Sequence, residues 1–127
     1  MTGNFGHFFA YAPEHEVEAR TYGVHRYGME VQRLCSVLDQ HMSTRSYMVS
    51  EEYSIADMAC FPWFQMLRKG AYRCGDLKCS EFLDVEANYP SATQWAERIE
   101  ARPAVQRGMT VCGWTSEHVK PWLHTTS

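Results

Sequence analysis

No apolar run in this sequence approaches the roughly 18 residues that a membrane-spanning helix needs, and its N-terminus has no basic-then-apolar signal pattern. The expected compartment is the cytoplasm. An excess of charge of one sign is also lacking: 12 Lys and Arg against 15 Asp and Glu give a formal charge of -3, so neither nucleic acid nor an anionic membrane is an expected partner. Cys74 and Cys79 are followed by neither a second cysteine pair nor a suitable histidine pair, so four zinc ligands are not assembled and no metal is expected. His7, His15, His25, His41, His118 and His124 show no metal-ligand spacing and no visible Ser/Asp accompaniment for nucleophilic catalysis. The five cysteines are odd in number, and Cys35 and Cys60 lie in apolar helical patterns where a reduced thiol behaves as a small hydrophobe. Internal repeats and low-complexity tracts are absent, and 127 residues suit one domain with a real hydrophobic core.

What is present is centred on Tyr53-Ser54-Ile55-Ala56-Asp57-Met58-Ala59-Cys60-Phe61-Pro62-Trp63. Ser54 and Asp57 have the spacing of a capping box, in which each residue satisfies a backbone N–H at the other's position. Tyr53 and Met58 are spaced for a hydrophobic staple across the helix start. The residues that follow, through Met66 and Leu67, leave no polar face, which predicts a central buried helix starting at Ser54. Pro62 predicts a kink, and Arg68-Lys69-Gly70 predicts the end, with cations at the negative pole and glycine as the stop.

Around it, Glu14 to about Met42 reads as the longest helix, with Val24, Tyr27, Val31, Leu34, Leu38 and Met42 at spacings of three and four. Arg26 and Arg33 lie off that stripe, on what reads first as a solvated face. Gly23 and Gly28 weaken the helix locally and allow a neighbour to approach closely. Met1 to Pro13, rich in aromatics, reads as a partly buried loop or the end of a helix whose beginning is absent. Gly75-Asp76 predicts a turn, and Phe82, Leu83 and Val85 a short helix or buried turn. Ser91 and Gln94 again have capping-box spacing, opening a helix in which Trp95 and Ile99 share a face and which Arg102-Pro103 stops. A short helical piece from Ala104 to about Val111 and an irregular tail complete an all-α class, divided as a helical domain over 1–113 and a tail over 114–127.

Two of these patterns resemble the C-terminal domain of cytosolic glutathione transferases: Ser54-Ile55-Ala56-Asp57, like the capping box of that domain's central helix, and Tyr89-Pro90 through Trp95, Arg98-Ile99 and Arg102-Pro103-Ala104-Val105, like its penultimate helix and proline stop. Within the family, Pro62-Trp63 inside the helix, Arg26-Tyr27 followed by Glu30, Gln32-Arg33-Leu34 and Val37-Leu38, and Gly3-Asn4 with His7-Phe8 and Ala12-Pro13 are similar to the Ure2p-like (Nu-class) bacterial and fungal enzymes. The resemblance implies a helical bundle that is one half of a two-domain dimeric protein. A thioredoxin-like half, absent from this sequence, would bind glutathione and activate its thiol. The intact protein would conjugate glutathione to a hydrophobic electrophile or reduce disulfides with it, while this chain alone would carry no catalytic residue and little activity.

The resemblance carries one glutathione-binding residue onto this chain, Arg26, whose permanent charge suits a glutathione carboxylate. His7 is a substrate-pocket candidate by position. Asp57, which invites a general-acid reading, is accounted for structurally by the capping box. Cys74, beside Arg73, is the thiol worth testing as a nucleophile. The competing class is a non-catalytic interaction module, since a domain of this type also serves as an assembly platform in translation-factor and synthetase complexes, and fold alone does not separate the two.

Overall fold

A computed structural model describes residues 1–111. Its order is α1 (Thr2–Gly6), a π-helical turn (His7–Tyr11), α2 (Val17–Met42), α3 (Ile55–Arg68), β1 (Arg73–Cys74), β2 (Leu77–Lys78), α4 (Cys79–Phe82), α5 (Val85–Asn88), α6 (Pro90–Glu100) and α7 (Pro103–Val111). Residues 1–96 form one compact unit, and the chain from residue 97 onward belongs to a second, the boundary falling inside α6. The predicted tail over 114–127 lies outside the described residues.

In the first unit α2 is the backbone of the packing. It starts at Val17, three residues later than the sequence reading, because the chain turns after Pro13, whose carbonyl accepts from Glu16 N–H at 3.1 Å. The aromatic N-terminal stretch is helical: Phe5 and Phe9 are buried and cluster with Phe82, with ring centroids 5.2 to 6.1 Å apart, Phe5 stacking on both other rings. The turn after α1 widens to the π form, closed by Ala12 N–H donating to the His7 carbonyl at 2.7 Å.

The start of α3 falls where the capping-box spacing puts it. Ser54 is extended, the reciprocal box with Asp57 is formed, and Ser54 N–H donates to Asp57 Oδ2 at 2.9 Å. Burial of α3 is one-sided: Asp57, Phe61, Phe64, Gln65 and Leu67 face the core, whereas Ile55 is 79% exposed and Trp63 53% exposed. Met58 is also exposed, and the Tyr53 ring packs edge-on against Tyr47 at 5.9 Å. The helix runs through Pro62 to Arg68 and stops at Gly70, which has φ +65° and whose absent Cβ would stand 2.8 Å from Ser80 Oγ.

The predicted turn at Gly75-Asp76 is the tip of an antiparallel hairpin, with Arg73 paired to Lys78 and Cys74 to Leu77. Two-residue strands carry too little alternation to be read from sequence. The short helix expected around Phe82 to Val85 is two single turns, α4 and α5, joined at Asp84 in a left-handed conformation, φ 46°.

At α6 the local cap fails. Pro90 takes the first helical position, so Ser91 lies inside the helix, and the Ala92 N–H donates instead to Asp39 Oδ1 at 2.9 Å, 53 residues away on α2. A carboxylate from a neighbouring helix has taken the role that the Ser91–Gln94 spacing suggested. Trp95 and Ile99 are both fully buried. In the second unit, Arg102 N–H closes onto the Ile99 carbonyl at 3.0 Å and Pro103 opens α7.

Candidate functional site

The residues proposed for glutathione and substrate contact lie on α2 and on the π turn packed against it. Arg26, exposed near the middle of α2, precedes Tyr27, whose ring stacks on Phe8 at 5.5 Å and 15°. Phe8 meets the exposed His7 edge-on at 5.1 Å. The π turn and α2 approach closely because Gly23 has no side chain: a Cβ there would stand 2.2 Å from the Phe8 ring. His7 and Arg26 are each one residue from a member of the Phe8–Tyr27 stack, and both are exposed.

Four residues after Arg26 stands Glu30, and seven after it Arg33, so all three share one helix face. Arg33 grips Glu30 with Nε at 3.0 Å and Nη2 at 2.7 Å. That fork holds the Glu30 carboxyl below its usual range, with the charges of Arg33 and Arg26 adding to the effect. Arg33 is engaged along the helix. Arg26 stands outside the fork, at an exposed position where a planar guanidinium can meet a ligand carboxylate.

Asp57 is enclosed. With 0% exposure it accepts at Oδ1 from Met48 N–H (2.9 Å) and Trp95 Nε1–H (2.8 Å), and at Oδ2 from Ser54 N–H and the Ser54 hydroxyl (both 2.9 Å). Burial opposes the charge more than any single contact favours it, yet the donors of Trp95, Met48 and Ser54 together hold the carboxyl below its ordinary value. A carboxylate bonded to four donors has no proton to give and no open lone pair for substrate. The cap was legible in the sequence; the Met48 and Trp95 bonds, with partners 9 and 38 residues away, had no local signal.

Of the described cysteines, Cys35 is buried and its thiol is pushed up to about 12 by that burial, while burial also raises Cys60 and Cys79. Cys74 is exposed on the hairpin, where Arg20 Nη2 donates to its Sγ at 3.2 Å and to the Phe9 carbonyl at 2.8 Å. The sequence pointed to Arg73 as the cation beside Cys74; the structure brings Arg20 there from α2. Among the described residues no three His, Cys, Asp or Glu side chains are grouped to hold a metal ion. Nor is any helix among them long and apolar enough to cross a membrane.

A family model, glutathione S-transferase C-terminal domain, matches residues 7–103. The chain belongs to that family. Among curated proteins it is 40% identical over 111 residues to the disulfide-bond oxidoreductase YghU of Escherichia coli, covering 87% of this chain and 35% of that protein. It is 33% identical over 109 residues to the disulfide-bond oxidoreductase YfcG of the same organism, covering 86% and 43%. Among solved structures, glutathione transferase YghU from Streptococcus pneumoniae, complexed with glutathione, superposes with a TM-score of 0.71 at 39% identity, over 86% of this chain and 39% of that one. A Burkholderia graminis glutathione transferase with two glutathione molecules bound per subunit gives 0.73 at 30% identity, over 92% and 44%. This glutathione-transferase domain therefore spans less than half the length of these relatives.

Proposed function

We propose that this chain is the helical half of a glutathione-dependent enzyme of the disulfide-reducing or conjugating kind. A thioredoxin-like half would bind and activate the glutathione thiol; this half would offer Arg26 to a glutathione carboxylate, the His7 region to the co-substrate, and a surface for homodimerisation. The observation that carries the reading is the 39% identity, sustained over 86% of the chain, to a transferase solved with glutathione bound. The exposed setting of Arg26, outside the Glu30–Arg33 fork, supports its part in it.

The test is a disulfide-exchange assay with glutathione and hydroxyethyl disulfide. The 127-residue chain alone is expected to be inactive, and a chimera joining it to the part of the Streptococcus pneumoniae relative that this chain does not cover is expected to turn over. In the chimera, Arg26→Ala should raise the KM for glutathione by about 10-fold, the loss of about 1.4 kcal/mol of binding, with Arg26→Lys recovering only part. An inactive chimera that is folded overturns the proposal in favour of an interaction module, and appreciable turnover by the chain alone overturns the division of labour between the two halves.

A further inference from the structure

We propose that Arg33 is a positioning residue: by holding both carboxylate oxygens of Glu30 it keeps that carboxylate off Arg26, a role that rests on the assignment of Arg26 to a glutathione carboxylate. The fork is bidentate, with Arg33 Nε donating to Glu30 Oε2 at 3.0 Å and Nη2 to Oε1 at 2.7 Å, so each oxygen of Glu30 already has a donor. Among the described residues the Arg26 side chain makes no hydrogen bond or salt bridge.

On α2, Glu30 is the rival for Arg26. Neighbours on a helix surface stand three and four positions apart. For Arg26 these are Tyr22, Gly23, Met29 and Glu30, of which Glu30 alone carries a charge. Glu30 in turn has a cation on each side, Arg26 four residues before it and Arg33 three after. A helical ion pair is stronger with the acid N-terminal to the base, an order that favours Arg33. The hydrogen bonds from Arg33 lower the Glu30 carboxyl most and the charge of Arg26 lowers it further, so Arg26 lies within electrostatic reach although it is not bonded. Without Arg33, Arg26 is the one helical partner left to this carboxylate. Glu30 would then occupy the guanidinium that a ligand carboxylate needs and set a like charge beside that ligand. The fork thus keeps a planar, charged donor set open on the surface of α2.

Two readouts test this. In the full chain, the Glu30 carboxyl is titrated by NMR. Arg26→Ala should move that titration further in an Arg33→Ala chain than in the parent, because Arg26 pairs with Glu30 only when Arg33 is gone; with both arginines replaced the carboxyl should return to about 4.3, the ordinary glutamate value. In the chimera, Arg33→Ala should raise the KM for glutathione about 3-fold with kcat unchanged, within the range of an exposed ion pair, and Arg33→Lys should fall between it and the parent. In a Glu30→Gln background Arg33→Ala should have no effect, since no carboxylate is left to release. Equal movement of the Glu30 titration on Arg26→Ala in both chains would overturn the proposal. So would an Arg33→Ala effect on KM that persists in Glu30→Gln, which would make Arg33 itself a ligand contact. Arg26→Ala without effect on KM ends the glutathione assignment and this inference with it, whereas an effective Arg26→Ala beside an ineffective Arg33→Ala ends this inference alone.

Discussion

Trp95 Nε1 donates to Asp57 Oδ1 at 2.8 Å, joining the first turn of α3 to the middle of α6 through two side chains with no exposed surface. The same carboxylate holds the Met48 backbone, so one residue pins the approach to α3, its cap and α6. Losing a cap alone costs about 1 kcal/mol. Asp57→Ala leaves the donors of Met48, Ser54 and Trp95 without their acceptor and should cost about 3 to 5 kcal/mol, since each buried donor left unsatisfied costs about 1 to 3 kcal/mol. Trp95→Phe removes a single hydrogen bond to a charged group and should cost about 2 kcal/mol. Urea denaturation of both variants checks this; an Asp57→Ala chain within about 1 kcal/mol of the parent would show that the network contributes no more than a cap.

Because the Asp57 carboxyl is held below its ordinary value in the folded chain, its contribution is fully present above the unfolded aspartate pKa of about 3.9 and is lost as pH falls through the lower, folded value. The urea midpoint should therefore decline below about pH 4. The decline should be shallower in Asp57→Asn, which begins from a lower midpoint because one amide oxygen cannot serve donors on both sides.

Two glycines of α2 should respond in opposite directions to alanine. At Gly28 an added Cβ meets Phe5 and Phe82 at 3.7 and 3.8 Å, ordinary contact, so the gain in helix propensity should appear as up to about 1 kcal/mol of added stability. At Gly23 the same Cβ would stand 2.2 Å from Phe8 Cγ, near the root of the ring, and the resulting shift should cost about 1 to 3 kcal/mol. Gly23→Ala should also disturb the His7–Phe8–Tyr27 stack, visible as changed aromatic chemical shifts.

Thiol labelling of the folded chain should find Cys74 ahead of Cys35, Cys60 and Cys79. Cys74 is exposed, while burial protonates the others and shields Cys35 and Cys79. Mass spectrometry of partially alkylated protein distinguishes the sites, and Cys35 or Cys79 reacting as fast as Cys74 would contradict the burial order.

The all-α class, the start of α3 at Ser54, its stop at Gly70 and the family were legible in the sequence because each rests on neighbouring residues: a cap three positions from its partner, a glycine after a run, a proline after an arginine. What was not legible depends on partners far along the chain. Asp39 caps α6 from 53 positions away, so the local Ser91–Gln94 spacing pointed to the wrong group. Arg20, not adjacent Arg73, reaches Cys74 across 54 positions. The one-sided burial of α3 also escaped the pattern, since an apolar helix reads the same whether or not something covers its second face. Around the candidate site, Arg26 could be named from the resemblance and His7 by position, but the Gly23 notch that brings the π turn against α2 is a fact of packing.

The long reach of Asp39 and Asp57 sets an order in time. A chain emerging from the ribosome delivers α2 and α3 well before Ala92 and Trp95, so until the last third is being made Asp39 lacks its Ala92 partner, and Asp57, already within reach of Ser54 and Met48, lacks its Trp95 donor. Folding of this domain is therefore tied to the arrival of α6: nascent chains halted before Trp95 has emerged should remain open to protease, and those halted after it should not.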